Sequence, residues 1–385
     1  MSTREANPGS GVGVETACVD CLRRSWLLGR LGSWIQNVVD DRAGRRTPEL
    51  LRLESSDLVQ VVAAKKADQI LSWNASLTEE EMRGSLANAD CWSCCRHDKR
   101  FPEGFADGTD APVALIGRGG GVRLEELRMD NSVTVVGARK ATGYGLEVAA
   151  SIGRESASAG LNVISGLALG IDGAVHRGAL ERGATVAVLG CGADRPYPAS
   201  HSRLYRQIVD RGLVISEFPP GADAWRWSFP ARNRIMAALS ALTVVVEAAW
   251  KSGSLITAEM AYDAGRDVGA VPGPVTSGAA AGTNELIASG AGVIRGGQDV
   301  LDRMLGAGAG QTLFGPTVNR EEREVLDAVE GGSGTVDEVA NLLGESTSSV
   351  AMTMARLEIN GYLRGSAVGT WTRTSLAAYP SDSEQ

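Results

Sequence analysis

The stretch VTVVGARKATGYG, residues 133 to 145, decides the fold. A Val-rich run stops at Gly137, Arg139 and Lys140 follow, and Gly143 and Gly145 open a segment of helical character. A strand that turns directly into a helix offers free backbone N–H groups and a positive helix end to an anion. The two cations stand at the carboxyl end of that strand, where open α/β sheets bind their ligands. Tight helix–strand packing accounts for the glycines as well as a ligand does, but leaves Arg139 and Lys140 unexplained. The spacing is not G-x-G-x-x-G, and the next strand end, NVISGLALGID, carries no acidic residue placed for a ribose, which counts against a dinucleotide site.

The same alternation continues on both sides. The apolar runs VALIG, NVISG, TVAVLGCG, LVISEF, LTVVVEA and DVGAVPG are short, Val/Ile-rich and bounded by glycine, with helical segments between them. Runs of this kind predict buried parallel strands in βαβ units. The expected fold is therefore α/β, with a Rossmann-like, doubly wound, mostly parallel sheet over residues 97–302. Before it, residues 16–96 read as a small N-terminal helical domain, with Leu, Trp and Ile at three- and four-residue spacing and a capping box from Thr78 to Glu81. After it come a Gly/Ala-rich linker, 303–317, and a C-terminal domain, 318–375. There TVDEVANLLG, a short turn and SSVAMTMARLEING have helix-turn-helix spacing, followed by a wing-like strand pair, which predicts a winged helix. Residues 1–15 and 376–385 are polar tails expected to be disordered.

Three further segments carry chemistry. In SGLALGIDGAVHRGAL (165–180), Gly166 and Gly170 permit a sharp strand-to-helix turn. Asp172 there reads as a helix cap and His176 as a core or surface histidine, since no second histidine stands at metal spacing. FPARNRIMAALS (229–240) places Phe229, Arg232, Asn233 and Arg234 at the start of a helix. Cations there oppose the helix dipole. Either the turn is merely solvated, or the cations and Asn233 meet phosphates while Phe229 offers its ring to a base, the pairing that single strands require. VVVEAAWKSGSLITAEMA (244–261) ends a buried strand at Lys251, Ser252, Gly253 and Ser254, a second anion cradle without the P-loop pattern. Cradles leaving one sheet edge predict a continuous groove.

That groove must act against the overall charge, because the 385-residue chain has a formal net charge of −8 and no domain-wide basic footprint. No apolar run is long enough to span a membrane and the N-terminus has no signal-like core, so no membrane role and a cytoplasmic location are expected. Six cysteines in such a chain read as thiols or metal ligands. Cys18, Cys21, Cys91 and Cys94, with Cys95 and His97 adjacent, are the zinc candidates by spacing, although the reading adopted carries no metal and no cofactor.

VVGARKATGYG, SGLALGIDGAVHRGAL, FPARNRIMAALS and VVEAAWKSGSLITAEMA, in this order, resemble the DNA-processing protein A family (DprA, also called Smf). RHDKRFPEGFADGTDAP resembles the segment leading into that family's core. The resemblance implies a non-enzymatic protein that binds and protects single-stranded DNA, loads the RecA recombinase onto it during natural transformation, and works as a homodimer. Carried over by motif, its groove would use Gly137, Arg139, Gly166, Phe229, Asn233, Arg234 and the Lys251–Ser254 loop; Lys140 and Arg232 join them from the reading of the residues. Two competitors remain. A phosphoribohydrolase-like enzyme would need a Gly-Gly-x-Gly-Thr loop where this chain has SGSLITAE, with Glu247 or Glu259 as its carboxylate. A duplex-DNA regulator would need a basic recognition helix, where SSVAMTMARLEING carries Arg356 alone.

Overall fold

The computed structural model describes residues 17–41, 47–105, 111–122, 124–306, 318–366, 369–374 and 376. The expected tail 1–15, residues 307–317 of the expected linker, and residues 377–385 lie outside the described residues. Two compact units divide between residues 309 and 310.

The first unit is built on a nine-stranded sheet of β1 (Trp92–Cys95), β2 (Ala114–Arg118), β3 (Ser132–Val136), β4 (Asn162–Ser165), β5 (Thr185–Val188), β6 (Leu213–Ser216), β7 (Leu242–Val245), β8 (Asp267–Ala270) and β9 (Gly292–Val293). Its order is β1-β2-β6-β5-β4-β3-β7-β8-β9. From β6 to β9 every neighbouring pair is parallel; β2 pairs antiparallel with both β1 and β6. β3, β5, β6 and β7 are buried along their whole length, as strands covered on both faces must be, which is why they are Val/Ile-rich rather than alternating. The fold is Rossmann-like α/β.

Helices α1 (Val19–Asp41), α2 (Thr47–Leu51), α3 (Ser55–Ala63), α4 (Ala67–Ser76) and α5 (Glu79–Asn88) precede the sheet. The crossovers are α6 (Gly143–Ser158), α7 (Ile171–Arg182), α8 (Ser202–Arg211), α9 (Ser228–Ala238), α10 (Gly253–Asp263) and α11 (Ala281–Ala288), and α12 (Gly297–Leu305) closes the unit. Residues 303–305, expected to open the linker, instead complete α12. β1 lies inside the segment expected to be helical, yet it is the edge strand of the sheet.

The chain leaves β3, β4, β5 and β6 in succession toward one edge, then returns to the other side of β3 for β7, β8 and β9. The direction of winding reverses between β3 and β7, and in open sheets that switch point is where strand ends part to leave a crevice. The N-terminal helices reach toward this region. Leu27, Leu31 and Ile35 of α1 pack with Leu58, Phe218, Trp227 and Ala231, and the Trp227 indole N–H donates to the Gly32 carbonyl at 2.8 Å. Trp227 is fully buried immediately before α9, so α1 fixes where α9 begins.

The second unit holds α13 (Arg320–Glu330), α14 (Val336–Leu343), α15 (Thr347–Ile359) and an antiparallel ladder of β10 (Leu363–Gly365) with β11 (Trp371–Arg373). Asn319 with Glu322, and Thr335 with Glu338, form capping boxes at the starts of α13 and α14. Val325, Leu326, Val339, Val350, Met354, Leu357 and Tyr362 make its core.

His176 is buried inside α7. The Thr185 hydroxyl donates to the Val163 carbonyl (2.7 Å) and so accepts the His176 Nδ1–H at 2.8 Å. Burial, aided by nearby His201, Arg232 and Arg177, lowers its pKa to about 3. The unfolded chain therefore binds the extra proton between about pH 6.5 and 3, and stability present above that window is lost as the pH falls. Between pH 7 and pH 5, urea unfolding of the parent should lose about 2 kcal/mol more than that of His176→Gln. Equal losses would show that His176 carries no such penalty.

Candidate nucleic-acid interface

Four loops meet at the switch point. The first runs from Gly137 to Thr142. Its Ala138 N–H donates to the Glu247 carbonyl at 2.7 Å, locking it to the loop that leaves β7. Thr142 caps α6, its Oγ1 accepting from the Gly145 N–H at 3.1 Å. The buried Glu247 carboxylate then accepts from the Thr142 backbone N–H (3.2 Å) and hydroxyl (2.6 Å), so this acid is committed to holding two loops together.

The second loop, 166–170, lies against the first. Gly170 has φ +76°, and a Cβ there would sit 2.2 Å from the Ala138 carbonyl oxygen, so only glycine lets the backbones approach. Asp172 accepts from the Gly166 and Ala168 N–H groups at 3.2 and 3.3 Å. The expected helix cap instead ties down the loop before its helix. Burial pushes the Asp172 carboxyl up, opposed by the Arg232 guanidinium and these two N–H groups. Arg232 is itself buried, and its Nη1 donates to the Gly166 carbonyl (2.5 Å) and to that of Val188. A Cβ at Gly166 would strike this guanidinium at 2.1 Å.

The third loop enters α9 and the fourth enters α10. The Arg139 guanidinium lies 5.0 Å from the Phe229 ring centroid, a cation–π contact. The Tyr197 ring stands 5.3 Å from the same ring at 36°. Phe229 thus carries Arg139 and Tyr197 and is half-buried, while Tyr197, at 46 %, and Trp250, at 62 %, are exposed. Lys251 is exposed and held at φ +64°. Ser252 caps α10, its Oγ accepting from the Ser254 N–H, and the Asn233 amide donates to the Gly253 carbonyl at 3.5 Å.

Together these loops line an open cavity of about 630 Å³. Of the expected site residues, Gly137, Arg139, Lys140, Phe229, Arg232, Asn233, Lys251, Ser252, Gly253 and Ser254 line it. Gly166 does not; it sits behind Arg232. Arg234 does not either. Its side chain is 6 % exposed and its Nη2 bonds the buried Glu217 carboxylate at 2.5 Å. Residues two apart on a helix point about 200° apart, so Arg232 and Arg234 cannot share a face. Arg226, Tyr197 and Trp250 line the cavity without having been expected there. Trp250 adjoins Lys251 in sequence and was legible as an aromatic beside a cation; Tyr197 arrives from the β5–α8 connection and had no motif to betray it. The cavity wall brings Arg139, Lys140, Arg226 and Lys251, with the capped start of α10, against the buried Asp172 carboxylate. Such a site favours an extended anion that also has flat faces to stack.

Glu259, the second carboxylate considered for an enzyme, is exposed and is not among the residues lining this cavity. The expected zinc set is corrected too. Cys18 and Cys21 converge with Cys95 and His97, not with Cys91 and Cys94. Cys94 and Cys95 are neighbours in β1, so they point to opposite faces of the sheet, Cys94 into one core cluster and Cys95 into another.

Residues 92–305 match the family model described as DNA recombination-mediator protein A. A putative DNA processing protein DprA of Mycobacterium tuberculosis is 42% identical over 250 residues, 63% of this chain and 64% of that protein. The chain thus spans a little under two thirds of this relative's length. Protein Smf of Escherichia coli is 30% identical over 355 residues, 85% of this chain and 94% of its own length. Among solved structures, DNA processing protein A of Streptococcus pneumoniae aligns with a TM-score of 0.57 at 32% identity, covering 74% of this chain and 95% of that one. DNA processing protein A of Helicobacter pylori, solved for its single-stranded DNA binding mode, aligns at a TM-score of 0.50 and 28% identity over 56% of this chain and 95% of that one. A family model that spans more than half of the sequence, over the whole sheet and the four loops at its switch point, places the chain in the DNA recombination-mediator protein A family.

Proposed function

We propose that this chain binds single-stranded DNA in the cavity at the switch point and acts as a recombination mediator. One observation carries the reading: Arg139, Lys140, Arg226 and Lys251 surround a single cavity together with the exposed rings of Tyr197 and Trp250. The cations track phosphates and the rings take bases, which duplex DNA keeps stacked. The binding mode named for the Helicobacter pylori relative agrees with it. Protection of the strand, delivery of a RecA recombinase to it in natural transformation, action as a homodimer and a cytoplasmic location belong to the same proposal. So does a non-enzymatic role, supported by Glu247 being spent on Thr142. Among the described residues, no helix is long and apolar enough to cross a membrane.

We further assign the second unit to a winged helix that contacts protein rather than duplex DNA. Its α15 offers one arginine, Arg356, which faces Glu322 at 3.7 Å, whereas Leu342, Met352 and Ile359 are exposed.

The test is fluorescence anisotropy with labelled oligo-dT and a matched duplex at two salt concentrations. Oligo-dT should bind far more tightly, with an affinity that falls steeply with salt. Tyr197→Ala should weaken oligo-dT by about 1–2 kcal/mol, roughly tenfold, through lost stacking. Equal affinity for duplex and single strand would overturn the reading.

A further inference from the structure

We propose that Cys18, Cys21, Cys95 and His97 form a Cys3His structural zinc site that clamps the start of α1 to the edge of the sheet. The four donor atoms lie within 4.8 Å of one another. His97 Nδ1 stands 3.4 Å from the Cys18 sulfur, 3.6 Å from that of Cys21 and 3.7 Å from that of Cys95. A zinc ion at about 2.3 Å from sulfur and about 2.0 Å from nitrogen makes sulfur–nitrogen tetrahedron edges of roughly 3.5 Å, close to the three sulfur–nitrogen separations here. Hydrogen bonding alone does not account for it. One imidazole nitrogen has either a single proton or a single lone pair, so it can serve one thiol well, not three. Three sulfurs gathered on one nitrogen are what a shared cation produces.

The local structure supports the assignment. Cys18 immediately precedes α1 and Cys21 lies in its first turn, the two-residue gap of a zinc knuckle. Cys95 ends β1, and the turn after it, closed by the Asp98 N–H on the Cys95 carbonyl at 2.9 Å, carries His97 beside Cys95. The Cys18 backbone N–H points at the Cys95 sulfur at 3.4 Å, as an amide supporting a thiolate ligand does. Cys21 and Cys95 are buried, Cys18 is partly exposed and His97 is exposed, which leaves an entry path. Three sulfurs and one nitrogen fill a tetrahedron, so no position is left for a water or substrate, and the site is structural rather than catalytic. Cys91 is four residues before Cys95, about 13 Å along an extended chain, and its sulfur donates to the Ala89 carbonyl instead.

The clamp joins segments far apart in sequence, and closing so long a loop is where a metal clip stabilises most. It also bears on the cavity, because α1 holds Trp227 and hence the start of α9.

The test uses the full chain, expressed with zinc and kept reduced, and needs no DNA. Metal analysis should find about one zinc per chain, falling below about a tenth in Cys18→Ser and His97→Ala and staying near one in Cys91→Ser and Cys94→Ser. Cobalt titrated into the metal-free parent should give the intense thiolate-to-cobalt charge-transfer band of a tetrahedral site, which reports on the site even where a variant folds poorly. A parent chain with neither zinc nor that band overturns the proposal. So does full zinc in Cys18→Ser, or loss from Cys91→Ser or Cys94→Ser as large as from Cys18→Ser.

Discussion

Arg234→Met should lose about 3–5 kcal/mol of stability, the cost of leaving a buried charge without its partner. Glu217 is 3 % exposed and bonds Arg234 through Oε2, while its other oxygen, Oε1, has no hydrogen-bond partner. Removing the guanidinium takes away the ion-pair hydrogen bond of that carboxylate and leaves it the more distant charge of Arg24 alone. A domain's net stability is about 5–15 kcal/mol, so the loss is a large share of it. The pair links α9 to the residue after β6, and its Arg234 Nη1 is likewise unbonded, so the pair is geometrically imperfect. Buried pairs of that kind are poor stabilisers as wholes yet costly to halve. The double variant Arg234→Met with Glu217→Met should therefore recover most of the loss. Urea unfolding of the three proteins measures both effects. At a temperature where Arg234→Met is folded, the salt dependence of its oligo-dT affinity should match the parent. A variant of parental stability with impaired DNA affinity would instead place Arg234 in the groove.

The Arg234 case marks where the sequence stopped being informative. The strands were legible because burial on both faces leaves a continuous Val/Ile signature bounded by glycine, as in SVTVV. The positions of the anion loops were legible too, since they follow strand ends in a parallel sheet. Which side chain of a loop faces the crevice depends on the rotation of the helix that it starts. For α9 that rotation is set by Trp227 and Ala231 packing against α1, a contact between segments nearly 200 residues apart. Composition within FPARNRIMAALS does not contain it. The same lack hid the metal ligands. WSCC carries no alternation from which to recognise β1, and without the strand there was no means of telling that Cys95, not Cys94, turns toward α1. Phe229 lines the cavity, but its ring is taken by Arg139 and Tyr197, a matter of topology, because Tyr197 comes from beyond β5.

Arg139→Ala combined with Lys251→Ala should weaken oligo-dT binding on the order of a hundredfold at physiological salt, as two phosphate contacts and their counterion release are lost. The two residues sit on opposite sides of the switch point, in the loops after β3 and β7, which are bonded to each other through Ala138 and Glu247. A strand crossing the cavity must pass both. Arg139 is also preorganised over Phe229, so little side-chain entropy is spent in fixing it at a phosphate. Lys251 owes its position to a left-handed backbone just ahead of the Ser252 cap, and its removal leaves that cap intact. The diagnostic is the slope of log affinity against log salt, which should flatten by roughly 0.7 for each lost contact, since a single strand releases that fraction of a counterion per phosphate. Because phosphates carry no sequence information, the loss should be the same for mixed-sequence oligonucleotides. Arg295→Ala removes a cation that is paired with Asp299 at 2.7 Å and is not among the cavity-lining residues, so it should leave affinity and slope unchanged. If Arg295→Ala flattened the slope as much as the double variant, the strand would be following the general surface charge, and a chain of net charge −8 has none to offer it.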